Sequence, residues 1–84
     1  MRNVKDVIGA IMRVLDGAEL SQDDILALEF EADGELLAAL NNAYIKLLEF
    51  AHDRERRLED RHLDDSERAA LQHIMNDIVR LSDK

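Results

Sequence analysis

A length of 84 residues bounds the chain to one domain, and a net charge of −8 makes it strongly acidic. That balance argues against direct nucleic-acid binding, which calls for a basic footprint. The absence of cysteine excludes disulfides, thiolate metal sites and a cysteine nucleophile.

Proline and threonine are absent too, while Ala, Leu, Glu, Arg and Asp dominate. This is a helix composition with little to supply strands. The first 17 residues carry Asp6 and Arg13 inside their apolar pattern. They do not form the apolar run of a signal peptide, and no stretch reaches the length of a membrane span. We expect a soluble, cytoplasmic protein.

Asn3 is placed to cap a first helix, with Asp6 three residues on in the capping-box position. Val4, Val7, Ile8, Ile11, Met12 and Leu15 recur at helical spacing and predict a helix over about 4–16. Asp16-Gly17 closes it, Gly17 being suited to the left-handed position past a helix end. Gly9 sits mid-helix at a cost of roughly 1 kcal/mol relative to Ala. Either a close helix crossing or a tolerated surface position accounts for it.

Ser21 starts the next helix, with Asp24 at the third position and Leu20 and Ile25 placed as a hydrophobic staple. That helix is predicted over about 22–33, with Ile25, Leu26, Leu28, Phe30 and Ala32 on its apolar side. Asp33-Gly34 punctuates the chain, and we read a break there, although heptad phase runs through it. The helix over about 35–62 is the longest. Its seam reads Leu37, Leu40, Tyr44, Leu47, Ala51 and Leu58, widened by Leu36, Ala39, Ala43, Leu48 and Phe50.

From His52 to His62 there are four acids and four arginines, with Leu58 the only large apolar residue. Asp53–Arg57 and Arg56–Asp60 stand at i,i+4, so this run reads as a solvated helical extension. Leu63-Asp64-Asp65-Ser66-Glu67 repeats the capping pattern of Leu20 to Asp24 and predicts a last helix over about 65–81. Leu71, Ile74, Met75, Ile78 and Leu81 form its stripe.

Chemistry is sparsely supplied. Glu-x-x-His occurs twice, at Glu49–His52 and Glu59–His62, a pattern that di-iron bundles use on inward faces. Here both pairs lie off the predicted seam, on a single helix. They read as surface pairs, with no metal or cofactor expected. His73 and Asp77 read likewise as a surface pair at i,i+4. The three serines stand at caps or termini, the glycines are isolated, and EADGELL lacks the ligand spacing of a calcium loop. No enzyme activity is expected.

The charge distribution is more informative. Between Val14 and Ile45 there is no Lys or Arg, and eight acids: Asp16, Glu19, Asp23, Asp24, Glu29, Glu31, Asp33 and Glu35. The remainder of the chain carries eleven acids and eleven bases. The acids of this window either solubilise a surface or form a docking face for a basic protein partner.

We therefore expect an all-α bundle of three or four helices around one long central helix. A homodimer would cover the wide apolar faces of that helix, and Asn41 or Asn42 would set its register. The expected function is a non-enzymatic interaction module, a regulator, inhibitor or adaptor. Its sharpest form is an inhibitor that competes with nucleic acid for a partner's basic groove. The alternatives are a metal-binding helical protein using Glu49, His52 and Glu29 or Glu31, and a structural oligomeric subunit.

Overall fold

The structure, a computed structural model, describes residues 4–82. The described residues form five helices and no strand: α1 (Lys5–Leu15), α2 (Gln22–Leu26), α3 (Gly34–His52), α4 (Arg54–Glu59) and α5 (Arg61–Ser82). The expected all-α bundle with a long central helix is what the chain forms. Three long helices carry it, joined by two short ones.

α1 buries Val7, Ala10, Ile11 and Val14, with Met12 left 53% exposed. Val4 stands at its N-cap, and the expected Asn3 cap lies outside the described residues. Its C-terminus closes as a Schellman motif. The Ala18 amide donates to the Arg13 carbonyl and the Gly17 amide to that of Val14, with Gly17 at φ +104°. Ser21 and Asp24 make the expected capping box, both bonds being 3.1 Å.

α2 is shorter than the 22–33 read from the pattern, ending at Leu26. Beyond it the chain alternates. Leu28, Phe30 and Ala32 turn inward while Glu29, Glu31 and Asp33 stay exposed. An alternation of period two places apolar residues on one side only if the backbone is extended, so the helix stops. Asp33 is extended at φ −128°, ψ 159°, and Phe30 docks on Tyr44 with ring centroids 5.8 Å apart. The break at Asp33-Gly34 is real, with Gly34 at φ +61°.

α3 buries Leu36, Leu40, Ala43, Leu47 and Phe50. That stripe joins Leu40 and Leu47 of the expected heptad positions to Leu36, Ala43 and Phe50, which were expected to widen them, so its phase is shifted and Leu37, Tyr44 and Ala51 are only half-buried. Leu58, assigned to the seam, is 73% exposed. Asn41 and Asn42 are both exposed within the chain. The stretch expected as one helix over 35–62 is interrupted twice. At Asp53 ψ swings to 11°, and at Asp60 the backbone extends to φ −131°, ψ 96°.

Asp60 also caps α5, accepting from the Leu63 amide at 3.2 Å. The last helix therefore starts at Arg61, one turn earlier than the 65 expected, and the second capping pattern lies inside it. α5 runs back along α3, since Arg57 meets Asp64 while Phe50 meets Arg68. Leu71, Ile74 and Ile78 are buried against the core, with Met75 and Leu81 packed at its margin. Each fully buried large side chain, Phe50 and Ile11 among them, contributes on the order of 1.5–3 kcal/mol.

The glycine inside α1 and the one just past its end have opposite roles. A Cβ at Gly9 meets nothing within 4 Å, so no close crossing requires it. Gly9→Ala should stabilise by about 0.5–1 kcal/mol, whereas Gly17→Ala should destabilise by about 1 kcal/mol. Urea unfolding of the two variants checks both signs.

Candidate functional site

The acidic segment is rooted in the fold by a charged cluster. Its centre is Arg57, whose residue is only 3% exposed. The expected solvated extension is thus wrong at this position, and the expected Asp53–Arg57 pair gives way to Arg56–Asp53 at 3.8 Å.

Arg57 has five N–H donors, and five bonds engage them. Nε and Nη2 donate to the Phe50 carbonyl at 3.0 and 2.6 Å. Nη2 and Nη1 grip the two Glu19 oxygens at 2.9 and 3.2 Å. Nη1 also donates to Asp64 Oδ1 at 2.9 Å. The guanidinium carbon lies 3.3 Å from the centroid of the Phe50 ring, a cation–π contact strengthened by burial. Planar, forked geometry is what allows one side chain to join α3, α5 and the α1–α2 connection.

Arg68 completes the cluster. It donates to Asp64 Oδ2 at 2.9 Å and to Glu19 Oε2 at 3.1 Å, and also to the Val14 carbonyl near the end of α1. Asp64 and Arg68, at i,i+4, share one face of α5 because the helix begins before them.

The titrations follow this geometry. Burial opposes the charge on Arg57, but its Glu19 and Asp64 hydrogen bonds outweigh it and hold the pKa above the ordinary arginine value. The Arg57 hydrogen bond holds Glu19 below the usual glutamate range, and that of Arg68 does the same for Asp64. Asp24 is lowered by the Ser21 amide it caps.

The eight acids of the window therefore divide. Glu19 is drawn onto the arginines, and Asp24 is engaged in the capping box. Asp16, Asp23, Glu29, Glu31, Asp33 and Glu35 are exposed, and no ion pair among the described residues engages them. In their midst Leu26 stands 60% exposed.

The Glu-x-x-His pairs do not converge. His52 borders an open groove of about 540 Å³ with Glu19, Asp24 and Arg54. Glu49 borders a different groove with Lys46, to which it is paired at 3.2 Å. Glu59 and His62 fall on separate helices across the Asp60 turn. Among the described residues no group of three or more His, Asp or Glu is placed to hold a metal ion. His73 and Asp77 are exposed, and Asp77 pairs with Arg80 at 3.5 Å. No helix of the described residues is long and apolar enough to cross a membrane.

Arg57 was the residue that pattern reading missed, and its signal lies in the stripe. Leu36, Leu40, Ala43, Leu47 and Phe50 advance by alternating steps of four and three. Continuing through position 54 lands on Arg57. Compared with known proteins, the chain matches no family model, no curated protein and no solved structure.

Removing the guanidinium leaves the partly exposed carboxylates of Glu19 and Asp64 facing one another and the Phe50 carbonyl without its donors. Arg57→Ala should lose about 2–3 kcal/mol, and Arg57→Lys should not restore it, whereas Arg56→Ala on the surface should stay within about 0.5 kcal/mol. Denaturant melts separate these. The depressed carboxylates Glu19 and Asp64 contribute stability that is present above their unfolded pKa values and lost as the pH falls through the folded ones. The thermal midpoint should therefore drop below about pH 4, and less so in Glu19→Gln.

Proposed function

We propose that the protein is a small non-enzymatic interaction module, a regulator, inhibitor or adaptor, that docks a basic protein partner through the acidic 16–35 segment. The observation that carries this reading is the extended alternation after α2. It aligns Glu29, Glu31 and Asp33 on one outward edge while Leu28, Phe30 and Ala32 hold that edge to the body. Carboxylates two residues apart in extended chain recur every ~6.7 Å. Such a row meets a row of Lys or Arg side chains without rearranging the fold.

Electrostatics supports the same reading. Glu19 is neutralised by its arginines, yet none of the six exposed acids is ion-paired among the described residues. A one-signed surface of this kind steers a basic partner and raises its association rate. Leu26 supplies an apolar anchor inside the charged field. Competition with nucleic acid for a partner's basic groove is the sharpest form of this role.

The test leaves the structural acids intact. A variant carrying Asp23→Asn, Glu29→Gln, Glu31→Gln and Glu35→Gln should keep its helical spectrum and lose only about 1 kcal/mol, from the first turns of α2 and α3 where Asp23 and Glu35 stand. Used as bait in an extract of the native cell, the wild-type protein should retain a basic protein that raised salt releases. The variant should retain it about tenfold less well. Retention that survives both salt and neutralisation would show that the acidic face is not the docking surface.

A further inference from the structure

The extended stretch after α2 leaves more than its acids unmatched. The Leu28 amide donates to the Ile25 carbonyl at 3.0 Å, and the Asp33 carbonyl accepts from the Leu37 amide at 3.4 Å. Between those two bonds the backbone is open. Among the described residues, nothing in the chain hydrogen-bonds the amides of residues 29–33 or the carbonyls of residues 28–32. Folded chains pair nearly all backbone groups that are shielded from water, so an extended run left unpaired belongs at an accessible edge. An extended edge with open amides and carbonyls is a template for a further strand.

Sequence and burial select the strand that fits. Glu29, Glu31 and Asp33 line the outer face of the run, and Leu28, Phe30 and Ala32 the inner one. The inner three stay half-buried although they pack on the core, so apolar surface remains open beside them. Neighbouring strands hold opposite side chains on the same face about 4.5–5.5 Å apart. A strand laid along this edge sets one alternate row of its side chains against the carboxylates and the other row beside the apolar residues. Two copies of this chain do not satisfy that pattern, because their edges would oppose carboxylate with carboxylate. A basic helix does not satisfy it either, since its backbone groups are already bonded within the helix.

We propose that residues 28–33 are a docking edge for an extended basic segment of a partner protein, one that alternates Lys or Arg with apolar residues and adds to this chain as a strand. The proposal rests on the acidic docking surface described above and adds the partner's conformation and register. Backbone hydrogen bonds supply the attachment, and the carboxylates fix the register. A slip of one residue would turn every cation of the partner to the inner, apolar face.

The probe is a blocked hexapeptide alternating lysine and valine, titrated into the full chain and followed by amide NMR. Salt-sensitive binding is expected, with slowed hydrogen exchange at alternate amides between residues 29 and 33. Two further peptides carry N-methyl groups, one on its lysine amides and the other on its valine amides. They keep the same charge and side chains and differ only in which edge has lost its donors. One of the two should bind about tenfold more weakly than the parent, and the other about equally. Equal binding by both, with salt sensitivity retained, would overturn strand addition and leave the acidic docking surface standing. No binding by the parent peptide overturns strand addition as well. Binding that ignores both salt and the double variant Glu29→Gln, Glu31→Gln would instead overturn the acidic surface on which the proposal rests.

Discussion

A guanidinium sealed from water must find a partner for every donor, and the solution to that problem at Arg57 organises much of this fold. One partner, the Phe50 carbonyl, belongs to the end of α3. Another, Glu19, comes from the connection between α1 and α2, and a third, Asp64, from the first turns of α5. Buried charge of this kind is costly, so it adds little net stability over a well-packed apolar cluster. What it does is specify arrangement. An apolar side chain at position 57 would tolerate several packings of the surrounding helices, whereas a five-donor fork accepts one.

The interruptions of the central helix make sense in that light. A straight continuation past His52 would carry the charged run away from the body into water. The ψ change at Asp53 and the extended residue at Asp60 instead fold it back, so that α4 forms one short side and α5 returns along α3. Asp53 and Asp60 both act at these joints, one paired with Arg56, the other as the cap of α5. Residues that read as a neutral, solvated run are therefore of two kinds: Arg57 is at the centre, and Leu58 beside it is in water.

The acidic segment shows the converse. Its acids are mostly where the pattern put them, on the surface, but the backbone that presents them is not a helix after Leu26. Leu28 to Asp33 alternates strictly between apolar and acidic residues, and this local period was visible in the sequence beside the helical spacing of Ile25 and Leu26. Five residues of helix followed by an extended edge bury Ile25 and pack Leu28, Phe30 and Ala32 on the core while leaving Leu26 in water, and set Glu29, Glu31 and Asp33 in line. The docking role proposed for that edge draws on this alignment, and on Glu19 anchoring the segment's root.

Helix class, the Gly17 and Ser21 boundaries, the α5 stripe and the exposure of most of the acids were legible from residues a few positions apart. Caps, turns and periodicity are short-range physics, settled by atoms within one or two turns. The phase of α3, the start of α5 and the burial of Arg57 were not. Glu19 and Arg57 are 38 residues apart in the chain, and Arg68 and Val14 are 54 apart. Whether an arginine faces water or the core depends on which carboxylates and carbonyls converge on it, and only the packed helices bring those together.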